Sequence, residues 1–178
     1  MKVSIVIPAY NEEKRIGLTL QAYSDYFESL IDKEILNYEI LVAVNNSTDK
    51  TLNIIKEFSK KNKRIFYLNL PERGKGYAII KGFNDALNRD NDLIGFVDAD
   101  MATPPEAFHM LIEKMGKHDG TIASRWVKGS KINTKQTILR RIMSFGFNFW
   151  ARALFLMPYR DTQCGAKLFK RKVIEKIA

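Results

Sequence analysis

Along the first two thirds of the chain, short apolar runs alternate with longer stretches in which apolar residues recur at the spacing of a helix. The runs predicted to be strands are Val3–Ala9, Tyr38–Val44, Ile65–Leu70, the run ending at Asp98, and Gly120–Ser124. Runs of this length between polar residues are typical of buried strands. The helices predicted between them are Glu12–Leu30, a segment running to Lys61, Gly76–Asn88, and one opening at Pro104-Pro105-Glu106. This alternation predicts an α/β fold with a mostly parallel sheet and helices on both faces.

Two of the predicted helix starts carry recognisable signals. Ser47, Thr48 and Asp49 are candidate N-caps for the second helix, because their side-chain oxygens can accept the free N–H groups of a first turn. Pro104 and Pro105 suit the first turn of the fourth helix, where the missing proline N–H would have had no partner.

The regular alternation stops after Ser124. The elements predicted beyond it are a polar loop at Trp126–Thr134, a long basic amphipathic helix at Lys135–Met157 closed by Pro158, a strand at Ala166–Phe169, and the start of a helix at Lys176–Ala178. We therefore predict one domain in two parts, an α/β core at residues 1–124 and a basic, largely helical region at residues 125–178. We also expect the natural protein to continue beyond Ala178.

The composition is that of one globular domain, with 178 residues and a single cysteine, Cys164. One cysteine excludes an intramolecular disulfide and suits a reducing compartment. The first strand follows Met1 without a basic leader or a small-residue cleavage site, so we expect no signal peptide. No run reaches the roughly 18 apolar residues of a membrane span, so the sequence predicts none.

The net charge of +9 is concentrated in the last third of the chain. Residues 1–120 carry 16 Lys and Arg against 18 Asp and Glu, a net charge of −2. Residues 121–178 carry 13 against 2, a net charge of +11. This asymmetry indicates a polyanionic partner, which could be nucleic acid, a phosphorylated ligand or anionic lipid. A solvated basic face that keeps the protein soluble is the alternative.

The fourth strand ends in two carboxylates, Asp98 and Asp100, separated by Ala99. Because side chains alternate along a strand, we expect both acids on one side at its carboxyl end, where open α/β sheets bind ligands. Two such charges repel each other unless a cation, a donor or a proton lies between them. Mg²⁺ prefers one or two carboxylates together with phosphate oxygens, so it would satisfy the pair. The alternative is an exposed Asp-x-Asp turn.

Two loops offer further ligand contacts. The segment Ile7–Glu13 can place a proline, an aromatic ring and a carboxylate against a base and ribose; alternatively, it is a plain strand–turn–helix connection capped by Asn11. The segment Arg73–Gly76 precedes a helix, so Lys75 beside the helix N–H groups would make an anion site. Its spacing is not that of a P-loop, and no Gly-x-Gly-x-x-Gly follows the first strand.

Five motifs stand in a recognisable order: residues 7–13 (Ile-Pro-Ala-Tyr-Asn-Glu-Glu), 46–51 (Asn-Ser-Thr-Asp-Lys-Thr), 73–76 (Arg-Gly-Lys-Gly), 98–100 (Asp-Ala-Asp) and 161–165 (Asp-Thr-Gln-Cys-Gly). In this order they resemble glycosyltransferase family 2, and within it the polyprenyl-phosphate sugar synthases. The chain looks closest to the dolichyl-phosphate β-glucosyltransferases, with the dolichyl-phosphate mannose synthases as near relatives. The resemblance covers essentially the whole chain and implies a GT-A (Rossmann-like) fold.

The resemblance also implies roles for residues at matching positions. The residues that would bind a nucleotide-diphosphate sugar are Pro8, Ala9, Tyr10, Glu12, Asn45, Lys75, Asp98, Ala99 and Asp100. Asp98 and Asp100 would hold Mg²⁺ or Mn²⁺ on the diphosphate. The residues that would face the acceptor phosphate are Ser124, Arg125, Arg140 and Ser144. Asp161 and Gln163 match a later active-site motif and join the two metal-binding acids as candidate catalytic residues.

One departure from the family concerns base recognition. The family usually carries an Asp-Asp pair after the second strand, and the first Asp often contacts the base. This chain has Val44 and Asn45 there, and a valine side chain neither donates nor accepts a hydrogen bond. The sequence therefore leaves open the choice between uridine and guanosine, and with it the choice between UDP-glucose and GDP-mannose.

We predict a metal-dependent, inverting transfer of a hexose to a polyprenyl phosphate of the dolichyl type. Glucose is the favoured hexose, and mannose is the alternative. Residues 1–124 would bind the donor, and residues 125–178 the acceptor and an anionic membrane surface, through a helix with aromatic residues among arginines. The protein would lie peripherally on the cytoplasmic face of a membrane. The alternative is a soluble glycan or protein acceptor. A non-enzymatic nucleic-acid-binding protein is the remote alternative, and we expect no nucleic-acid partner.

Overall fold

The structure, a computed structural model, describes residues 1–124 and 164–178. Its strands are β1 (Lys2–Ala9), β2 (Asn37–Asn45), β3 (Ile65–Leu70), β4 (Leu93–Val97), β5 (Gly120–Ile122) and β6 (Ala166–Lys170). Its helices are α1 (Ile16–Asp32), α2 (Thr51–Lys61), α3 (Lys75–Leu87), α4 (Pro105–Glu113) and α5 (Arg171–Ile177). Among these described helices, none is both long enough and apolar enough to cross a membrane.

The strands form one sheet in the order β3-β2-β1-β4-β6-β5. The first four in this order run parallel, whereas β6 runs antiparallel to both of its neighbours, β4 and β5. Parallel neighbours need crossover connections, which α1, α2 and α3 supply. The predicted mostly parallel sheet is confirmed.

The strands β1, β2 and β4 are buried on both faces, and their side chains alternate between two apolar clusters. On one face Ile5 and Ile7 of β1 belong to a cluster with α1, α2 and α4 residues, among them Leu20, Phe27, Ile55 and Phe108. On the other face Val6 belongs to a cluster with α3 and α5 residues, among them Phe83, Ala86 and Ile174. This alternation follows from strand geometry and confirms the prediction of helices on both faces.

α1 begins at Ile16, four residues later than the predicted start at Glu12. The carbonyl of Glu12 accepts the N–H groups of Arg15 and Ile16, so a turn precedes the helix. The N–H groups of Glu12 and Glu13 meanwhile bond to side chains 39 and 36 residues away. These distant partners set the boundary, and no local pattern could have indicated them.

The predicted N-caps of α2 were wrong, because Lys50 occupies the N-cap position. Asp49 does accept the N–H of Thr51 (3.0 Å), but Ser47 and Thr48 bond to the loop after β1. The proline prediction is confirmed, since Pro104 is the N-cap of α4 and Pro105 its first residue.

The other boundaries differ from the predictions by a few residues. β4 ends at Val97, β5 ends at Ile122, and α3 begins and ends one residue earlier than predicted. The strand predicted at residues 166–169 is confirmed and is one residue longer, and the helix expected near Lys176 begins at Arg171. The predicted loop at 126–134 and helix at 135–157 lie outside the described residues.

Candidate active site

Four parallel strands end side by side at one edge of the sheet, and the loops that follow them form the candidate site. The last residues of these strands are Ala9 in β1, Asn45 in β2, Leu70 in β3 and Val97 in β4. Because the strands are parallel, their loops meet at this carboxyl edge, where α/β sheets bind ligands. The predicted nucleotide loop, the Arg73–Gly76 motif and the Asp98–Asp100 motif all lie here.

The loop after β1 is fastened to the loop after β2 by hydrogen bonds in both directions. The N–H of Asn11 donates to Ser47 Oγ (3.1 Å), and the side-chain oxygen of Asn11 accepts the N–H of Thr48 (2.9 Å). Asn11 and Asn46 have φ values of 52° and 54°, a left-handed conformation that asparagine tolerates. Asn11 therefore connects two loops, and Arg15, not Asn11, is the N-cap of α1.

A second set of hydrogen bonds joins the same two loops and involves Glu12, Glu13 and Asp49. The N–H of Glu12 donates to Thr51 Oγ1 (2.7 Å). Glu13 bonds twice, its N–H to Asp49 Oδ2 (3.1 Å) and its carboxylate to the N–H of Lys50 (3.0 Å). Burial opposes ionisation of Asp49, but hydrogen bonds from Thr51 and Glu13 outweigh it and hold the pKa of this carboxyl below its ordinary value. The loop after β2 thus holds the predicted nucleotide loop in place.

Asn45 joins three loops through its side-chain amide. With the amide oriented to match its surroundings, the nitrogen donates to the carbonyl of Ala9 (2.6 Å) and the oxygen accepts the N–H of Gly74 (3.3 Å). The residue is buried, at 4% exposure. Gly74 has a φ of 135°, a conformation that favours glycine. Both halves of the Asn45 amide therefore bond to backbone groups, one at the start of the first loop and one at the end of the third loop.

Val44, the other residue at the position of the family's Asp-Asp pair, is fully buried in the core beneath the site. It is the partner of Ala9 in the pairing of β1 with β2. Its side chain therefore belongs to the core packing and offers a base no polar contact.

Tyr10 is the exposed ring of the predicted nucleotide loop, at 41% exposure. The guanidinium carbon of Arg73 lies 5.4 Å from the centre of this ring, a cation–π contact that joins the first loop to the third. Pro8 and Ala9, which were predicted to bind the nucleotide beside Tyr10, are buried in β1. This role of Arg73 could not be predicted from the sequence, because its ring partner is 63 positions away in the chain.

Glu12, also predicted to contact the nucleotide, is paired with Arg15. The Arg15 Nε donates to Glu12 Oε2 (2.7 Å) and Nη2 donates to Oε1 (2.8 Å), a two-bond pairing. This pairing occupies both oxygens of the Glu12 carboxylate at the turn that precedes α1.

Asp98 and Asp100 lie in the turn after β4, since the strand ends at Val97. Strand alternation was the stated reason to expect both acids on one side, and it does not apply, because both acids follow the end of the strand. The carboxylate of Asp100 accepts the N–H of Ala102 (3.0 Å) within the turn, and the residue is exposed. Within the described residues, this bond engages one oxygen of Asp100 at the surface of the site.

Asp98 lies deeper and contacts two other elements. Its Oδ1 pairs with the ammonium of Lys75, the first residue of α3. A Cβ at Gly165 would overlap Oδ2 of Asp98, so glycine is needed where this backbone lies against the carboxylate. Gly165 belongs to the fifth sequence motif, which by itself indicated no role for this residue. The structure brings Lys75, Asp98 and Gly165 together from three separate motifs.

The turn that carries the two acids is anchored on α1. Thr19 Oγ1 donates to the carbonyl of Ala99 (2.7 Å), and the hydroxyl of Tyr23 donates to the carbonyl of Thr103 (2.8 Å). All four residues are buried. Burial, together with nearby carboxylates, raises the pKa of Tyr23, so its hydroxyl stays a donor at physiological pH. No local sequence pattern indicates Thr19 or Tyr23 as supports of the turn.

The residues at this edge fit a hard divalent cation that binds together with a diphosphate. Asp98 and Asp100 supply carboxylate oxygens, which Mg²⁺ and Mn²⁺ prefer. Within residues 1–124 and 164–178, no group of three or more His, Cys, Asp or Glu side chains is arranged to hold a metal ion. Two acids leave most coordination positions to water and phosphate oxygens, which suits a cation bound with its ligand.

The other predicted site residues lie at the margin of the described part or beyond it. Ser124 is the last residue described before position 125 and is half-buried. The residues outside the described part are Arg125, Arg140, Ser144, Asp161 and Gln163. Their roles at the acceptor phosphate and in catalysis stay predictions.

Comparison with known proteins places the chain in a family. The profile of glycosyl transferase family 2 matches residues 4–178. A dolichyl-phosphate β-glucosyltransferase of Trichomonas vaginalis is 34% identical over 95% of this chain and 53% of its own length. A dolichol-phosphate mannosyltransferase of Pyrococcus furiosus is 31% identical over 99% of this chain and 48% of its own length. The chain thus spans about half the length of these curated relatives.

Solved structures agree on the fold. The mannosyltransferase PcManGT of Pyrobaculum calidifontis, determined in complex with GDP-Man and Mn²⁺, has a TM-score of 0.64 at 16% identity, covering 99% of this chain and 46% of its own. Identity this low shows the fold alone, and that fold is the predicted GT-A architecture. Because the family profile matches nearly every residue, the chain belongs to glycosyl transferase family 2.

Proposed function

We propose that the protein is a metal-dependent, inverting glycosyltransferase that moves a hexose from a nucleotide-diphosphate sugar to a polyprenyl phosphate. One observation carries the proposal: Asp98 and Lys75 meet beside the Tyr10 loop at the carboxyl edge of a GT-A sheet. The family match and the dolichyl-phosphate transferases among the relatives support it.

The donor diphosphate would bind where two acids and an ammonium lie close together. Asp98 and Asp100 would hold Mg²⁺ or Mn²⁺, which when bound offsets the charge that builds on the departing nucleotide diphosphate. Lys75, whose side chain is 56% exposed at the start of α3, would add an ammonium beside the helix N–H groups. Tyr10 offers an exposed ring to the base or ribose. The Mn²⁺ and GDP-Man bound by the structural neighbour support this assignment.

The acceptor phosphate would attack the anomeric carbon from the face opposite the departing diphosphate, which inverts the configuration. A phosphate oxygen is already anionic near neutral pH, so this attack needs no strong general base. The residues predicted to position the phosphate are Ser124, Arg125, Arg140 and Ser144. Asp161 and Gln163 are the further candidate catalytic residues, and the sequence leaves open whether Asp161 orients the reacting groups or acts as a base. Positioning and charge stabilisation would therefore supply most of the rate acceleration.

Glucose from UDP-glucose is the donor that we propose first. The β-glucosyltransferase relative supports glucose, and the mannosyltransferase relative supports the alternative, mannose from GDP-mannose. Val44 is buried and the Asn45 amide bonds to the backbone of Ala9 and Gly74, which supports neither donor over the other.

A polyprenyl acceptor requires a membrane surface, and we propose that the protein works peripherally at the cytoplasmic face. Residues 121–178 carry a net charge of +11, which suits an anionic lipid surface. Each basic residue close to such a surface contributes about 1 kcal/mol of attraction.

A transfer assay tests the proposal. The purified protein receives UDP-glucose or GDP-mannose, Mg²⁺ or Mn²⁺, and a short prenyl phosphate in anionic vesicles. We expect metal-dependent formation of the prenyl-phosphate hexose, faster with UDP-glucose. Asp98→Asn should lower the rate roughly a hundredfold or more. The control Asp119→Asn, which removes an exposed acid paired with Lys172 at 2.7 Å, should leave the rate unchanged.

The acceptor decides between the candidate functions. Transfer to a soluble glycan or protein, with none to prenyl phosphate, would favour the alternative acceptor. No transfer from either donor to any acceptor would refute the proposed activity.

A further inference from the structure

Lys75 and Asp98 join α3 to the turn after β4 through an ion pair between Nζ and Oδ1. The second carboxylate oxygen, Oδ2, lies against the backbone at Gly165, where an added Cβ would overlap it. The side chain of Asp98 is 27% exposed and that of Lys75 is 56% exposed. Both oxygens of Asp98 therefore have neighbours within the protein, and Lys75 is the neighbour that can move.

An ammonium on Asp98 opposes a metal ion on the same carboxylate. The Nζ of Lys75 lies where a cation would approach Oδ1, and a divalent cation beside it would also meet like-charge repulsion. A nucleoside diphosphate changes this balance, because its phosphate oxygens offer the ammonium another anionic partner. Lys75 has a flexible side chain with more than half its surface in solvent, so it can leave Asp98 without disturbing α3.

We infer that Lys75 sets the order of binding: it holds Asp98 in the absence of donor and releases it to the metal when a nucleoside diphosphate arrives. Metal and diphosphate then bind as a cooperative pair, and metal alone binds weakly. This inference rests on the proposed function and adds a role for Lys75 before the donor is bound. By linkage, the factor by which diphosphate tightens metal binding equals the factor by which metal tightens diphosphate binding.

Electron paramagnetic resonance of free Mn²⁺ measures this coupling once the Mn²⁺ that UDP or GDP binds without protein has been subtracted. The wild type is compared with Lys75→Gln, which removes the ammonium, and with Lys75→Arg, which keeps a cation. Lys81→Gln is the matched control, because it removes the same charge from an exposed position of α3, where the ammonium lies 5.5 Å from the centre of the Tyr77 ring. Each protein is titrated with Mn²⁺ alone and then with Mn²⁺ in the presence of UDP or GDP.

Lys75→Gln should bind Mn²⁺ alone roughly threefold to fivefold more tightly than the wild type, the effect expected for a half-exposed ion pair. UDP or GDP should tighten Mn²⁺ binding by the wild type and by Lys75→Arg. The factor by which the diphosphate tightens Mn²⁺ binding should be smaller for Lys75→Gln than for the wild type. The difference between the two factors should be at least threefold to fivefold. Lys81→Gln should match the wild type in both titrations.

Each contrary outcome has a separate meaning. If Lys75→Gln binds Mn²⁺ alone no more tightly than the wild type, while UDP or GDP still tightens Mn²⁺ binding by the wild type, the inference is overturned and the proposed function stands. Tighter Mn²⁺ binding by both Gln variants would also overturn the inference, because net charge would then explain the effect. Mn²⁺ binding that neither diphosphate changes in the wild type would refute the proposed function and the inference with it.

Discussion

Replacing Asn45 with alanine should loosen two loops of the site at once. The amide of Asn45 donates to the carbonyl of Ala9 and accepts the N–H of Gly74. Ala9 is fully buried, so water cannot replace the lost bond, although Ser47 Oγ lies 3.4 Å from the same carbonyl. Gly74 is exposed, so its N–H can bond to water instead. The two losses are therefore unequal.

The magnitude follows from this difference in burial. An unsatisfied buried carbonyl with one long remaining contact costs about 1–2 kcal/mol, and an exposed N–H costs less than about 1 kcal/mol. We expect the free energy of unfolding of Asn45→Ala, measured in urea, to be about 2 kcal/mol lower than that of the wild type. We also expect weaker Mn²⁺-dependent binding of UDP, measured by calorimetry, because the first loop carries Tyr10 and the third loop leads directly into Lys75.

Asn91→Ala is the matched control for this substitution. Asn91 is 5% exposed, its amide nitrogen donates to the carbonyl of Ala86 (2.6 Å), and its oxygen accepts a bond from Arg171 (3.2 Å). It precedes β4, at the edge of the sheet opposite the candidate site. Both variants should lose stability to a similar degree, but only Asn45→Ala should lose affinity for UDP.

Two results would refute this reasoning. A change in the free energy of unfolding within about 0.5 kcal/mol for Asn45→Ala would show that the amide does not hold the loops together. An equal loss of UDP affinity in Asn45→Ala and Asn91→Ala would show that general destabilisation, and not loop placement, explains the binding defect.

Three further substitutions test the same edge of the sheet. Gly165→Ala should displace Asp98 and weaken Mn²⁺-dependent UDP binding roughly tenfold or more in calorimetry, with an unchanged circular dichroism spectrum; unaltered binding would contradict the contact. Thr19→Val should lower the free energy of unfolding in urea by about 1–2 kcal/mol, because the buried carbonyl of Ala99 loses its donor. The pKa of Asp49 is lowered in the folded protein, so its stabilisation is complete above its ordinary value of 3.8 and is lost as the pH falls below it. The stabilities of wild type and Asp49→Asn should therefore differ near neutral pH and converge in strong acid; a constant difference would contradict this assignment.

The strands could be predicted because their signal is local. The third strand was predicted at Ile65–Leu70 and found there, and the first and second were each found within a residue of their predicted ends. The first two strands are buried on both faces and therefore appear in the sequence as continuous apolar runs, which can be recognised without knowing their neighbours. The same holds for Pro104 and Pro105, whose effect on a helix start depends only on their own backbone.

The bonds between loops could not be predicted, because their partners are distant in the chain. Glu12 meets Thr51 across 39 positions, and Asn45 meets Gly74 across 29. The family resemblance indicated that these segments belong to the site, but not which side chains bind a ligand and which hold the loops. The contact of Gly165 with Asp98 was missed for the same reason, since the two residues are brought together by the pairing of β4 with β6.

The motifs mix two kinds of residue, and the structure separates them by burial and bonding. Asn45 and Thr51 are buried, and their side-chain polar groups bond to backbone groups of neighbouring loops. Tyr10 and Asp100 are exposed at the same edge, where a ligand can reach them. A substitution in the buried set should therefore change stability and ligand binding together. A substitution in the exposed set should change ligand binding and leave stability nearly unaltered.

Lys75 tests this separation, because it is exposed and yet has an internal partner. An ion pair with a lysine that is 56% exposed contributes no more than about 1 kcal/mol to folding. The free energy of unfolding of Lys75→Gln should therefore stay within about 1 kcal/mol of the wild type in urea. If the same variant loses UDP affinity by more than about tenfold, the loss exceeds 1.4 kcal/mol and cannot come from the broken ion pair. The loss would then come from the contact of Lys75 with the diphosphate itself. A fall in the free energy of unfolding as large as the fall in binding free energy would instead show that Lys75 mainly stabilises the folded protein.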